Sequence, residues 1–196
     1  MTTRRDQAQA KRQALIDAAR RLFAENGFFA TGTEDILRAA GVGTRGVMYH
    51  HFADKRDLFE AVFHQVQRDL AQAAAQRLSG SDSLDVLASS LAGFLDAAAN
   101  NPEIQRIVLV DAPAVLGWER WRALEADYGL GAIEAMLTAA LESGIIEPQP
   151  LRPLAHLLLA LADEAALYIA NADDRGEAAR QMTGHVNRFI AALRRP

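Results

Sequence analysis

Cysteine is absent from the 196 residues, and its absence excludes a disulfide framework, a thiol nucleophile and a thiolate metal site. No stretch approaches the roughly 18 uninterrupted apolar residues of a membrane-spanning helix, so a soluble chain with no membrane partner is expected. The opening MTTRRDQAQAKRQ lacks the apolar core of a secretory signal, which with the missing thiols suits a cytoplasmic protein. Strand-like alternation of apolar and polar residues is missing along the whole length. So are a glycine-rich phosphate loop, a histidine pair at i, i+4 able to grip a metal, and any nucleophile motif. An all-α enzyme pairing Asp111, Glu119 or Asp163 with a histidine therefore has no spacing to support it, and no catalytic residue, cofactor or metal site is expected.

What the chain does have is helical periodicity. Ala and Leu, both strong helix formers, dominate from Ala8 to Leu193, and the fold class is read as all-α. A first helix is expected over 7–26, with Leu15, Ile16, Ala19, Leu22 and Phe23 on one face and Gly27 ending it. A second is expected over 32–40, opened by a capping box between Thr31 and Glu34 and closed by Gly41. After Gly41-Val42-Gly43, Thr44 can cap a third through His51, with Met48 and Phe52 pointing inward. Asp54 caps a fourth, whose Leu58, Phe59, Val62, Phe63, Val66 and Leu70 form a broad stripe before Ser79-Gly80-Ser81. Further helices are expected over 83–100, 102–111, 118–143, 151–171 and 175–194, with prolines at or near the breaks.

Net charge is −4, which by itself argues against a nucleic-acid partner. The distribution reverses the argument. Residues 1–52 carry eight Lys and Arg against five Asp and Glu, whereas 53–196 carry thirteen against twenty. A basic head and an acidic body suit a protein that sets one end on phosphates and repels them with the rest. Two short helices joined by a glycine-containing turn make a helix-turn-helix, whose second helix fits the major groove, although plain helical hairpins share the pattern.

The segment AARRLFAENGFFATGTEDILRAAGVGTRGVMYHHFADKRDLF, Ala18 to Phe59, resembles the N-terminal domain of the TetR family of transcription regulators. The resemblance runs through Leu22-Phe23, Gly27, the Thr31-to-Ile36 opening of the second helix, Ala40-Gly41-Val42, the run Tyr49-His50-His51-Phe52, Lys55 and Leu58-Phe59. It implies an N-terminal three-helix helix-turn-helix domain, 1–55, followed by a larger helical ligand-binding and dimerisation domain, 56–196. It also implies a homodimer, most often a repressor, on an inverted-repeat double-stranded DNA operator, released by a small-molecule effector. Carried over by position, Arg45 and Gly46 approach base edges with Val47 close by, while Thr33, Thr44, Tyr49, His50, His51 and Lys55 reach phosphates.

Residue chemistry agrees with several of these. Arg45 can donate two hydrogen bonds to a guanine edge, Gly46 lets backbone and duplex come close, and Lys55 adds charge to a helix start. Plainer readings stand beside them: Thr33 and Thr44 as helix caps, and Tyr49 packed on the first helix. His50 and His51 point about 100° apart and do not converge on one ion. Gly43 departs from the family pattern by lengthening the turn one residue. Either the turn absorbs it as a bulge or the recognition helix rotates.

From Ser83 onward the likeness thins, although WERWRALEADYGLGAIEAML and the long apolar helix after it look like family C-terminal domains. Phe94, Ile107, Trp118, Trp121, Tyr128 and Met136 are candidates to line a cavity for an apolar or amphipathic effector, or are ordinary core. LRPLAHLLLALADEAALYIANA is apolar around most of its circumference, more than a monomer covers. With Met182, Val186, Phe189, Ile190 and Leu193 of the last helix it can build a four-helix bundle with a second subunit. Asp163 and Glu164 are then interface or pocket groups, and His156 and His185 are structural.

Overall fold

In a computed structural model, residues 3–75 and 78–195 are described. Among them there is no strand, only an isolated antiparallel bridge between Ile146 and Arg194. The chain is all-α. The helices are α1 (Arg4–Asn26), α2 (Thr33–Ala40), α3 (Arg45–His51), α4 (Lys55–Ala75), α5 (Ser83–Asn100), α6 (Ala112–Leu116), α7 (Trp118–Glu125), α8 (Gly131–Glu142), α9 (Leu151–Asn171) and α10 (Arg175–Ala191). Two compact units result, Met1–Gln67 with Pro102–Trp118, and Arg68–Asn101 with Glu119–Pro196.

Local capping explains most helix ends and several departures from expectation. α1 begins at Arg4, not Gln7, because Thr3 and Asp6 form a reciprocal capping box that holds three more residues in the helix. The capping box expected between Thr31 and Glu34 does not form. Gly32 is the N-cap of α2 without a side-chain bond, and the buried Thr31 hydroxyl instead donates back to the carbonyls of Leu22 and Gly27, at 3.2 and 2.7 Å. Asp54 opens α4 as expected, accepting the Asp57 N–H at 2.8 Å. The expected run of that helix toward Ser79 passes through residues 76 and 77, outside the described residues.

α5 and α9 keep the expected bounds, and α10 stops at Ala191 rather than Arg194. There the Arg195 N–H turns aside to donate to the Ile145 carbonyl at 2.8 Å, while the Arg194 guanidinium reaches Asp82 and Asp85. The helices expected over 102–111 and 118–143 are wound as π-helix over Ile104–Asp111 and Ala126–Leu130. Such wide turns are rare and appear mostly as short insertions within α-helices.

The first unit packs Leu15, Ile16, Ala19 and Phe23 of α1 on Ile36 and Leu37 of α2, Met48 of α3, Phe52, and Leu58, Phe59 and Phe63 of α4, all buried. Rings of Phe23, Phe28 and Phe59 meet at centroid distances of 5.3 to 5.5 Å. Each fully buried side chain of this size contributes about 1.5–3 kcal/mol of transfer free energy, so this cluster holds the short α2 and α3 in place. Segment 102–118 joins the same unit: Arg20 forks onto Glu103, and the Phe28 N–H donates to Asp111 at 2.7 Å. Arg56 donates to the Leu116 carbonyl.

The second unit packs α5 against α8, α9 and α10. α9 is long and apolar enough to cross a membrane by length and composition alone. Within its unit one face buries Ala155, Leu158, Leu159, Ala162, Ala166 and Ile169, while Leu157 and Tyr168 on the other face remain exposed.

Candidate nucleic-acid interface

Gly41 makes the turn between α2 and α3. Its φ of 65° lies in the left-handed region, its N–H donates to the Arg38 carbonyl, and the Val42 N–H donates to that of Leu37 at 3.2 Å. Gly43, which lengthens the turn by one residue, does not adopt positive φ, and a Cβ there would meet nothing within 4 Å. Thr44 is the N-cap of α3 by backbone geometry, but its hydroxyl makes no capping bond. Met48 is the buried anchor of α3.

The opposite side of α3 is open. Thr44, Arg45, Gly46, Tyr49 and His50 are exposed, and Val47 and His51 are half-buried, as is Thr33 on α2. Tyr49 does not bury its ring against α1; it is 55% exposed. The His50 and His51 rings lie edge to face, centroids 5.0 Å apart. His51 is held below the ordinary histidine range, first by burial and then by the charges of His50, Arg12 and Lys11. Those last two belong to α1, and Arg12 also sits 5.0 Å from the centre of the Phe52 ring. Lys11 and Arg12 were not singled out from sequence as part of this surface. The signal available was their adjacency in a basic segment with Arg12 off the apolar stripe.

Two expected site residues are engaged in ways the sequence does not foretell. Lys55 donates to the carbonyls of Phe28 and Thr31, both at 2.9 Å, with its ammonium 4.0 Å from the Phe28 ring centre. Burial lowers its pKa from the usual lysine value. An ammonium has three donors, so one remains beyond these two. Arg45 is ion-paired with Glu34 of α2.

The six candidate effector residues divide between the units. Ile107 is fully buried in the first unit and Trp118 is exposed there, whereas Phe94, Trp121, Tyr128 and Met136 belong to the second. Trp121 is buried, the other three are half-buried, and Tyr128 lies in the second π-helical segment. In this unit Arg122 pairs with the buried Asp163, and its guanidinium is 5.8 Å from the Trp121 ring centre. Burial pushes the Asp163 carboxyl up to about 6, with Arg122 opposing the rise. Glu164, His156 and His185 are exposed, His185 in contact with Arg188 at 2.8 Å. Among the described residues no group of three or more His, Asp or Glu is arranged to hold a metal ion.

A buried-core pair of short helices with a solvent-facing second helix, followed by a helical body, has the geometry of a helix-turn-helix domain on a helical body. The profile described as bacterial regulatory proteins, tetR family, matches residues 15–62, and that of the tetracyclin repressor-like C-terminal domain matches 84–193. The chain belongs to the TetR family of transcription regulators. It is similar to a crystal structure of a TetR-family transcriptional regulator from Pectobacterium atrosepticum, with 28% identity, coverage of 99% of this chain and 98% of that one, and a TM-score of 0.84. It is similar to the transposon Tn10 TetC protein of Escherichia coli, 22% identical over 93% of this chain and 91% of that protein. It is 40% identical to the transcriptional regulator AcrR of Shigella flexneri over 35% of this chain, a match spanning 31% of AcrR.

Proposed function

We propose that this regulator acts in the cytoplasm as a dimeric repressor, each subunit offering α3 to half of an inverted-repeat operator, and that a small molecule bound in the body releases the DNA. It carries no catalytic role in this reading. The observation behind it is the exposed face of α3; in this reading Arg45 and Gly46 address base edges with Val47 beside them. Thr33, Thr44, Tyr49, His50, His51 and the remaining donor of Lys55 serve phosphates, joined by Lys11 and Arg12. In domain terms, residues 1–55 read DNA and 56–196 bind effector and partner.

Dimerisation uses the outward faces of α9 and α10. Leu157, Tyr168 and Phe189 are 68%, 51% and 59% exposed, and an apolar surface of this kind is supported by a second copy in the four-helix arrangement. The effector is apolar or amphipathic, with Phe94, Trp121, Tyr128 and Met136 of the second unit as its candidate contacts. The test is selection of duplexes from a random pool by the purified protein, followed by titration in rising salt. An inverted repeat with half-sites about one helical turn, or 34–36 Å, apart and a steep salt dependence are expected. Equal binding to all duplexes at low salt would sink the reading.

A further inference from the structure

Glu34 lies in the first turn of α2, where its charge favours the helix N-terminus. Its side chain does not cap the helix and is two-thirds exposed; it crosses instead to Arg45, eleven residues on, which is equally exposed. The pair spans an open groove of about 480 Å³ between α2 and α3, lined also by Leu37, Arg38, Val42 and Thr44. One turn along α2, Arg38 is occupied in the same way by Asp35 at 3.0 Å. Both arginines of this face are therefore neutralised by carboxylates of α2 before DNA arrives.

We propose that Glu34 is a specificity-determining residue, a carboxylate that lets Arg45 accept a neutral base edge but opposes its use as a phosphate anchor. The inference rests on the reading of Arg45 as a base-contacting residue. A guanidinium has five N–H donors in one plane, enough to serve a carboxylate on one side and the N7 and O6 acceptors of guanine on another. Guanine brings no charge, so Glu34 can stay and hold the plane of the fork. A phosphate brings a negative charge beside the Glu34 carboxylate, and the two repel. The same ion pair thus tolerates sequence-specific engagement and discourages the sequence-independent kind. Because the pair is exposed it is weak, and it yields or shifts without disturbing the fold.

The experiment compares the full-length protein with Glu34→Gln, Arg45→Ala and the double variant, using the duplex selected by the unaltered protein and a random-sequence duplex. Glu34→Gln is expected to bind the random duplex about three- to tenfold more tightly and to steepen its salt dependence by about one unit of slope per subunit, as one phosphate contact per subunit is gained. The preference for the selected duplex is expected to fall by at least that factor, with thermal unfolding unchanged. In the Arg45→Ala background the same substitution is expected to change the preference by less than twofold. An unchanged preference in Glu34→Gln overturns the proposal. So does an equal gain on both duplexes with and without Arg45, which would reduce Glu34 to bulk charge. If Arg45→Ala alone keeps full preference, the base-contact reading fails and takes this inference with it; if Arg45→Ala loses preference while Glu34→Gln does not, only this inference fails.

Discussion

The Asp111 carboxylate accepts the backbone N–H of Phe28 at 2.7 Å, joining positions 83 residues apart within the first compact unit. Asp111 is buried and closes the π-helical segment Ile104–Asp111, and Arg106 stands 3.3 Å from its other oxygen. It satisfies the backbone at the exit of α1, the point from which the chain enters the helix-turn-helix. Asp111→Ala is expected to strand that N–H and to lower stability by about 1–3 kcal/mol, read from urea unfolding. Asp111→Asn, which keeps an acceptor oxygen, is expected to lose less; equal loss in both variants would contradict a hydrogen-bonding role.

Gly41 and Gly43 stand two residues apart in one turn and are expected to respond differently to alanine. With φ at 65°, Gly41→Ala costs about 1–2 kcal/mol through backbone strain alone, since space for the Cβ is open. Gly43 has neither positive φ nor a neighbour within 4 Å of a Cβ, so Gly43→Ala is expected to leave the unfolding midpoint within about 0.5 kcal/mol of the original. Chemical denaturation of the two variants side by side decides this.

Lys55 stabilises the α1–α2 connection through two backbone carbonyls. Lys55→Met removes the donor shared by the Phe28 and Thr31 carbonyls and the contact with the Phe28 ring. A stability loss of about 1–3 kcal/mol is expected together with weaker binding to all duplexes alike. Weakened DNA binding with undiminished stability would contradict the structural role.

His51 is expected to make DNA affinity rise as pH falls. Its surroundings hold the pKa below the ordinary 6.5, and an arriving phosphate supplies the negative charge that favours the protonated ring. Operator affinity measured from pH 8 to pH 5.5 is expected to increase by up to about tenfold per unit for each His51 that takes up one proton. Substituting His51→Gln is expected to flatten the profile; a profile of unchanged slope would remove His51 from the DNA contact.

Asp163 has the opposite consequence for the fold. Its folded pKa of about 6 stands above the ordinary 3.8, so the folded state holds the proton more tightly. The associated stabilisation is complete below 3.8 and is lost as pH rises through 6. Between pH 4 and pH 7 the unaltered protein is expected to lose about 2 kcal/mol relative to Asp163→Asn, measured as the difference between their urea-unfolding free energies. A difference that does not change with pH would mean that the carboxyl titrates alike in the folded and unfolded states.

Helix bounds such as Ser83–Asn100 and Leu151–Asn171, the all-α class and the helix-turn-helix could be read directly from residue order. Caps, prolines and the spacing of apolar side chains act over three or four positions, so their effect survives in a linear string. The candidate DNA face was legible in the same way, because Met48 buried at one position of α3 turns Arg45 and Tyr49 outward. Partnership was not legible. Thr31 and Glu34 have the spacing of a capping box, yet one bonds back to the end of α1 and the other crosses to Arg45. The engagement of Lys55 with two carbonyls, of Glu103 and Asp111 with α1 and its exit, and of Asp163 with Arg122 depends on which segments lie together in space. A side chain with several equivalent local choices takes the partner that desolvation leaves unsatisfied, and only the packed fold determines which group that is.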